Sequence, residues 1–320
     1  MAYLDRLKVF HGRSGKHLAV EVCERLDVEL GKSTTFKFKN QNSFVRIEEN
    51  VRDMDCFVIH CSGENVNDGV MEMLMMVDAL KRASARRVTA VMPYYFYARS
   101  DKKDQPRIPI TARLIADLLT AASVDRVITI DLHADQIMGF FTLPVDQLLS
   151  LPVICDHFNS LNLKNVVVVS PDAGGAKRAR SYSWALKADL AIIDKKRHGN
   201  QDQSSVYGLI GDVKGKTAII VDDEIDTGGS IVNTLGALKE AGADKVYAAC
   251  THAVFSAEAV ETLSNSDLEQ VVVTNTIPIR KEYDPTKIKV LSIGPLLAKA
   301  IRRIHEGTSV SALFSKYKPE

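Results

Sequence analysis

The residues with the clearest chemical capability lie between positions 222 and 230, directly after the apolar run "TAIIV". Two adjacent glycines there let backbone N–H groups approach a ligand with no Cβ in the way, and the helical segment that follows offers its N-terminus to an anion. The carboxylates beside them repel a phosphate but suit the hydroxyl groups of a sugar, or a divalent metal. An acidic helix cap would explain Asp226 or Thr227 alone, but not the full set. We therefore predict a sugar-phosphate site formed by Asp222, Asp223, Asp226, Thr227, Gly228, Gly229 and Ser230.

An alternation of short β-branched runs and amphipathic segments must position this site. The apolar runs are typical of strands in a sheet covered on both faces, and the segments between them have helical periodicity. The runs span residues 56–61, 87–94, 126–132, 165–170, 190–194, 217–221, 245–251 and 270–275, and the helical segments span 68–84, 110–122, 175–188 and 230–242. This pattern predicts an α/β fold with two doubly wound domains and mainly parallel sheets. Ligands of such sheets gather at the carboxyl ends of strands, where the run 217–221 delivers Asp222 and Asp223.

Two segments depart from the alternation. Residues 140–158 contain prolines and are the predicted crossing between the domains, which we place at 1–149 and 150–320. Residues 195–208 contain almost no apolar side chains. Because such a segment cannot pack itself down, it predicts a mobile loop.

The composition is that of a globular protein with no strong overall field. The chain has 320 residues, 46% of them hydrophobic and 25% charged, and a formal net charge of +1. This balance argues against a general attraction to nucleic acid or to an anionic membrane, and no apolar run approaches the roughly 18 residues of a membrane span. We expect a cytoplasmic protein with no nucleic-acid or membrane partner. The five cysteines are scattered and not spaced as metal ligands, so we expect them to be reduced core residues.

Ordered blocks along nearly the whole chain resemble the ribose-phosphate diphosphokinase family, also called phosphoribosyl pyrophosphate (PRPP) synthetases. The blocks are "VNDGVMEMLMMVDALKRASA", "PYYFYARSDKKDQPRIPITA", "DLHADQIMGFF", "SPDAGGAKRAR", "GDVKGKTAIIVDDEIDTGGS", "NTIPI" and "AIRRIHEGTSVSALF". The resemblance implies two domains that each look like a type I phosphoribosyltransferase. It also implies transfer of the β,γ-diphosphoryl group of ATP to the 1-hydroxyl of ribose 5-phosphate, with Mg²⁺, giving PRPP and AMP for nucleotide biosynthesis. A phosphoribosyltransferase acting on a base would share only residues 221–230 and would have no use for the N-terminal half.

The same resemblance implies roles for particular residues. Lys195 and Arg197 match a flexible catalytic loop, whose closure would bring two cations to the transferring phosphoryl groups. His133 matches a catalytic residue near the metal and the ATP phosphates, and Asp172 matches a Mg²⁺ ligand, so His133 and Asp172 are the expected metal-binding residues. The expected ATP-binding residues are Phe38, Asn40, Asn42, Arg99, Ser100, Asp101 and His133. The expected effector-binding residues, for inorganic phosphate and ADP, are Arg52, Ser84, Ser309 and Ser311.

In the family such effector sites lie between subunits, which implies a homo-oligomer, either a hexamer or another assembly built from dimers. Two nucleotide-side positions depart from the family pattern, which usually has Glu where Asn42 stands and Gln where Ser100 stands. Asn42 lacks the charge, and Ser100 is too short to reach as far as a glutamine amide. These changes leave a second hypothesis open, a catalytically weak regulatory PRPP synthetase-like subunit. The complete 222–230 segment, together with His133, Asp172, Lys195 and Arg197, favours the active enzyme.

Overall fold

The structure, a computed structural model of the chain, describes residues 4–62, 65–197, 204–279 and 281–317, with the backbone alone at 195–197 and 204–207. The strands are β1 (Leu7–His11), β2 (Ser33–Lys37), β3 (Ser43–Ile47), β4 (Asp55–Ile59), β5 (Arg87–Met92), β6 (Arg126–Ile130), β7 (Val145–Leu148), β8 (Val166–Ser170), β9 (Asp189–Arg197), β10 (Ser204–Ile210), β11 (Thr217–Ile225), β12 (Lys245–Ala253), β13 (Val271–Thr274) and β14 (Ile288–Leu291). The helices are α1 (Lys16–Leu26), α2 (Val66–Arg82), α3 (Thr111–Ala121), α4 (Leu151–Ser160), α5 (Ala176–Leu186), α6 (Gly229–Glu240), α7 (Ala259–Ser264) and α8 (Gly294–His305). Every strand and helix predicted above coincides with one of these elements.

The chain divides into two compact units. The first contains Met1–Leu149, Thr276–Pro278 and Ile293–Leu313, and the second contains Ser150–Asn275, Ile279–Ser292 and Phe314–Glu320. The expected consecutive domains, 1–149 and 150–320, differ from these units because two later segments, Thr276–Pro278 and Ile293–Leu313, return to the first unit. That return places α8 in the first unit, where it packs against α1.

The sheet of the first unit has the strand order β1-β4-β5-β6-β7, and all its strands are parallel. Every residue of β4 is buried, as expected for a strand covered on both faces. Because the strands are parallel, the segments that follow β1, β4, β5 and β6 leave the sheet at one edge. The strands β2 and β3 form a separate antiparallel pair, which the sequence analysis did not predict.

The sheet of the second unit has the order β10-β9-β8-β11-β12-β13-β14. Its strands pair in parallel except for β10 and β9, which are antiparallel. The prediction of mainly parallel sheets in an α/β fold is therefore confirmed in both units.

The predicted mobile loop at 195–208 is more ordered in part than expected. The backbone at 195–197 belongs to β9 and the backbone at 204–208 belongs to β10, so these parts of the predicted mobile loop are paired strands. Pairing of main-chain groups requires no apolar side chains, which is why composition alone missed it. Residues 198–203 lie outside the described residues. The predicted crossing at 140–158 contains β7 and most of α4, with Pro152 in the first turn of α4, where a missing N–H costs no hydrogen bond.

All five cysteines are buried and free of disulfide bonds. Burial raises the pKa of their thiols, to about 11 at Cys23. Over the described part of the chain, no helix is both long and apolar enough to cross a membrane.

Candidate active site

The carboxylates of the predicted sugar-phosphate site lie on an extension of β11. The ladder between β11 and β8 ends at the pair Ile220 and Val169, whereas the ladder with β12 continues to Ile225. Pairing with β12 thus carries β11 beyond its predicted end at 221. Asp222 and Asp223 lie past the end of the β8 ladder, on the edge of the sheet where ligands of parallel sheets bind.

Arg178, which the sequence analysis did not single out, connects these two carboxylates. Its Nη1 lies 3.2 Å from Oδ1 of Asp222 and 3.0 Å from Oδ1 of Asp223. Arg178 is on α5, the helix that follows β8, so the strand order β8-β11 brings it to the acidic pair. Burial raises the pKa of Asp222 well above its usual range, the charge of Asp223 raises it further, and Arg178 opposes both effects. The arrangement is a pair of adjacent carboxylates that share one guanidinium.

The glycine-containing segment after the carboxylates begins α6. Gly228 has a φ of 83°, a left-handed conformation that suits glycine, and a Cβ there would lie 3.3 Å from Cγ of Leu263. The carbonyl of Gly228 accepts the N–H groups of Ile231 and Val232. Within the described ranges, the N–H groups of Thr227 and Gly229 donate to no protein group. Donors at a helix N-terminus that have no protein partner are suited to an anion.

Asp226 is fixed at the mouth of this segment. Its carboxylate accepts a hydrogen bond from the hydroxyl of Ser256, and its carbonyl accepts the Ser256 N–H at 3.1 Å. Both contacts come from the segment after β12, the strand next to β11. The turn is therefore held in shape by the neighbouring strand connection, as a preformed anion site requires.

Asp172 lies in the loop between β8 and α5. Its Oδ1 accepts the N–H of Gly175 at 2.9 Å, and its carbonyl accepts the hydroxyl of Ser170 at 2.7 Å. The carboxylate therefore stabilises the start of α5 through one oxygen. No group of three or more His, Cys, Asp or Glu side chains able to hold a metal occurs among the described residues.

The predicted nucleotide-side residues belong to the first unit, and one group lies on the β2–β3 hairpin. Phe38 follows β2 with 46% of its surface exposed, and its ring centroid lies 5.0 Å from that of Phe36 and 5.8 Å from that of Phe44, both edge to face. Such contacts fix the plane of the Phe38 ring while leaving part of its surface open. At the tip, Oδ1 of Asn40 accepts the N–H of Asn42 at 3.1 Å.

The second nucleotide-side group follows β5. Arg99 is exposed and Asp101 is buried. The Ser100 hydroxyl lies 3.3 Å from both the N–H and the hydroxyl of Thr111, the first residue of α3, so it acts as a helix cap. This local role gives a physical reason for a short side chain at position 100.

His133 is exposed three residues after the end of β6, at the same edge of the sheet. The preceding Asp131 has a φ of 40°, so the chain turns sharply there. His133 and the residues after β5 both follow neighbouring parallel strands, as predicted from their positions after apolar runs.

The predicted catalytic cations can be placed only by their backbone. Lys195 pairs with Val206 and Arg197 pairs with Ser204 in the β9–β10 hairpin. Their side chains lie outside the described part of the structure.

The predicted effector residues all belong to the first unit. The loops of Arg52 and Ser84 are joined because the N–H of Asp53 donates to the Ser84 carbonyl at 3.0 Å. Ser309 and Ser311 are joined by a hydroxyl pair at 3.0 Å, and Arg303 of α8 donates to the Ser309 carbonyl at 2.9 Å.

Comparison with known proteins agrees with this geometry. Residues 7–123 match a family described as the N-terminal domain of ribose phosphate pyrophosphokinase, and residues 203–315 match the phosphoribosyl synthetase-associated domain. The chain is 48% identical over 309 residues to the ribose-phosphate pyrophosphokinase of Bacillus subtilis (strain 168), with 97% of each chain covered. It is 51% identical over 312 residues to that of Clostridium acetobutylicum, covering 97% of this chain and 98% of the relative.

A crystal structure of phosphoribosylpyrophosphate synthetase from Mycobacterium smegmatis is similar over 95% of this chain and 100% of that one, with a TM-score of 0.89 and 43% sequence identity. Relatives in sequence and in structure thus extend over nearly the full length of the chain. The chain therefore belongs to the ribose-phosphate pyrophosphokinase family.

Proposed function

We propose that this protein is an active ribose-phosphate diphosphokinase that converts ATP and ribose 5-phosphate into PRPP and AMP for nucleotide biosynthesis. The 1-hydroxyl oxygen of the sugar attacks the β-phosphorus of ATP and loses its proton. The bond from that phosphorus to the oxygen bridging it to the α-phosphorus breaks, and AMP leaves. The observation that carries the proposal is the start of α6, where N–H donors with no protein partner lie next to a fixed acidic pair.

On the sugar side, the segment Thr227–Ser230 would bind the 5-phosphate and the carboxylates would accept hydrogen bonds from the ring hydroxyls. The N-terminus of a helix attracts anions, whereas carboxylates repel them. The phosphate is therefore expected at the start of α6, and the ring hydroxyls are expected beside the carboxylates. Arg178 reduces the repulsion within the acidic pair, so Asp222 and Asp223 can present oxygens to hydroxyl donors together. The site thereby distinguishes the two ends of the substrate.

On the nucleotide side, Phe38 would stack on the adenine and Arg99 would contact the base or the phosphates, with Asn40, Asn42, Ser100, Asp101 and His133 as further contacts. The exposed Phe38 ring, fixed by its two aromatic neighbours, supports this role. An aromatic face and a guanidinium are both suited to a purine ring. Lys195 and Arg197 would stabilise the charge that develops on the transferring phosphoryl groups.

Mg²⁺ is the proposed cofactor, and when bound it would neutralise charge on the ATP phosphates. The donor set fits this ion, because Mg²⁺ commonly uses one or two carboxylates and takes its other ligands from substrate phosphates and water. Asp172 engages one oxygen in capping α5, which leaves the other for a ligand, and His133 is the second proposed metal contact.

The alternative, a catalytically weak regulatory subunit, is not favoured. The curated relatives that match almost the entire chain are named as the enzyme, and the sugar-phosphate segment is complete. The departures at Asn42 and Ser100 fall on the nucleotide side only. They predict a changed affinity for ATP and leave the sugar side intact.

Regulation and assembly follow as further proposals. We propose that inorganic phosphate and ADP act as effectors at Arg52, Ser84, Ser309 and Ser311, and that the protein forms a homo-oligomer, a hexamer or another assembly built from dimers. An enzyme that consumes ATP to make a nucleotide precursor is proposed to act in the cytoplasm. The exposed apolar side chains Met71 on α2 and Leu114 and Leu118 on α3 support the proposed assembly.

The direct test is to incubate the purified protein with ATP, ribose 5-phosphate and Mg²⁺ and to separate the nucleotide products. AMP formed in equal amount with PRPP is the expected result. Formation of ADP, or absence of turnover at saturating ATP, would contradict the proposal.

Lys195→Ala should lower the turnover number with little effect on ribose 5-phosphate binding, since a contact made in the transition state acts on rate.

A further inference from the structure

The first turn of α2 lies between the two nucleotide-side groups. Asn65 caps this turn, with its side chain accepting the N–H of Asp68 at 3.2 Å and its carbonyl accepting the N–H of Gly69 at 3.1 Å. Successive residues of a helix point about 100° apart. Asn67 and Asp68 can therefore reach two different neighbours from one fixed turn.

Asp68 holds the aromatic hairpin. Its Oδ2 lies 2.5 Å from Nζ of Lys37, the last residue of β2 and the residue before Phe38. The pair is partly shielded, with side-chain exposures of 23% for Lys37 and 28% for Asp68. Because α2 also packs against β3, the ion pair fixes the end of a hairpin that already rests on this helix.

Asn67 holds the turn that carries the arginine. Its side-chain oxygen accepts the hydroxyl of Tyr97, two residues before Arg99. Tyr97 has a φ of 60°, a conformation that bulky residues adopt only when their surroundings impose it. The residue before it, Phe96, is fully buried and packs edge-on against His60 at 5.7 Å.

We propose that Asn67 and Asp68 are positioning residues for the nucleotide. Asp68 sets the place of the Phe38 ring through Lys37, and Asn67 sets the place of Arg99 through Tyr97. Both anchors are consecutive residues of one capped helical turn, so the rigid start of α2 holds the end of the aromatic hairpin and the arginine-bearing turn through two separate contacts. This inference rests on the proposed function, because it concerns the same ATP site.

The test uses steady-state kinetics of Lys37→Met, Asp68→Ala, Asn67→Ala and Tyr97→Phe. Each variant should raise the KM for ATP by about three- to tenfold, the range expected when one partly exposed polar contact is lost. The turnover number at saturating ATP and the KM for ribose 5-phosphate should stay within about twofold, since the chemistry and the sugar site are untouched. Adding Lys37→Met to Asp68→Ala should cause little further change, because the two side chains form one contact.

Lys81→Met is the matched control. Lys81 pairs with Asp125 at 2.6 Å, is exposed to a similar degree (24%), and lies in the last turn of the same helix. Its loss should leave the KM for ATP unchanged. An equal rise in Lys81→Met would show that the effect is general loosening of α2 and would overturn the proposal.

Tyr97→Phe removes one hydroxyl and keeps the ring, so it tests Asn67 without disrupting the fold. An unchanged KM for ATP in Tyr97→Phe and Lys37→Met, both with the unfolding temperature of the parent, would overturn the inference. Failure of the proposed function is a separate outcome, seen as no AMP from the parent protein. In that event calorimetric binding of ATP to the same variants decides the inference, with weaker binding supporting it and equal binding contradicting it.

Discussion

Arg178 has an electrostatic role that the spacing of the carboxylates alone did not reveal. Burial raises the pKa of Asp222 above its usual range, and repulsion from the adjacent Asp223 carboxylate raises it further. The Arg178 guanidinium contacts both carboxylates, with Nη1 3.2 Å from Oδ1 of Asp222 and 3.0 Å from Oδ1 of Asp223. Its charge favours the ionised form of the pair, the form that accepts the most hydrogen bonds from sugar hydroxyls.

Arg178→Gln should therefore raise the KM for ribose 5-phosphate by about tenfold or more, equivalent to about 1.4 kcal/mol of lost binding. The KM for ATP should change much less. Initial rates with each substrate varied in turn measure both effects. Arg180→Gln, an exposed position on the same helix, is the control and should leave both constants unchanged. Equal behaviour of the two variants would refute the role assigned to Arg178.

Asp222→Asn should stabilise the free protein increasingly as pH rises. The folded-state pKa of Asp222 lies above its unfolded value, so the folded state holds a proton that the unfolded state releases. As pH rises from about 4 to the pKa of Asp222 in the folded state, the parent loses stability, and the asparagine variant does not. Thermal unfolding of both proteins near pH 5 and near pH 8 measures this difference in stability. A difference in unfolding temperature that does not grow with pH contradicts the raised pKa.

At the scale of elements, the loop between β1 and α1 shows how a glycine-containing loop can be occupied by the protein itself. The loop reads "HGRSGKH" and opens a helix after a parallel strand. Its first two amides are already used, because the N–H of Gly12 donates to the Ile59 carbonyl at 3.0 Å and the N–H of Arg13 donates to Oε1 of Glu72 at 2.5 Å. The carboxylate of Glu72 thus takes the position that a bound anion would fill. The segment 227–230 has N–H donors left and is the better ligand site.

Glu72→Gln should destabilise the first unit near neutral pH. Glu72 is 1% exposed, and although burial alone would raise its pKa, the His60 ring 3.4 Å away and two hydrogen bonds from Arg13 lower the pKa to about 2. The depressed pKa contributes on the order of 3 kcal/mol, present above about pH 4.5 and lost as pH falls toward 2. Urea unfolding at neutral pH and at acid pH should show a large difference between parent and variant that shrinks in acid. A difference independent of pH would indicate that the ion pair is not its cause.

The sequence predicts an element only where its apolar residues recur in a regular pattern. Strands such as β4 and β5 are buried along nearly their whole length and were predicted from their apolar runs. The hairpin of β2 and β3 has no buried residue in either strand, so its alternation is weak and it was missed. The same holds for the site: "TAIIVDDEIDTGGS" revealed a local arrangement, whereas Arg178 and Asp68 act through contacts with residues 44 and 31 positions away.

At the scale of the whole molecule, the return of α8 to the first unit could not be read from local pattern. Its apolar positions predict a buried helical face but do not identify the surface that covers it. The structure supplies that surface in α1, and a hydrogen bond secures the far end, where Nδ1 of His305 lies 2.7 Å from Oδ2 of the buried Asp55 carboxylate. Arg87 shares Asp55 and donates to the Ile304 carbonyl at 3.1 Å. The segment bearing Ser309 and Ser311 is thereby anchored in the unit that contains Arg52 and Ser84.

The face formed by α2 and α3 is the surface on which we expect subunits to associate. Met71 on α2 is 53% exposed, and Leu114 and Leu118 on α3 are 51% and 37% exposed. Leu118 also lines a shallow apolar cleft together with Val70 and Leu74 of α2. Clusters of exposed large apolar side chains are typical of protein interfaces. We name this surface, defined by Met71, Leu114 and Leu118, the α2–α3 face.

Leu114→Glu should shift the protein to a smaller assembly, because a buried unpaired carboxylate at an interface costs several kcal/mol. Light scattering coupled to gel filtration measures the mass of the assembly. Leu161→Glu, at a side chain exposed by 38% in the second unit, is the control and should leave the mass unchanged. If the parent is an oligomer and Leu114→Glu retains its full mass while remaining folded, association uses another surface. If the mass falls, titration with inorganic phosphate tests the proposed effector site. Activation by phosphate should fall together with the mass if that site lies between subunits as proposed.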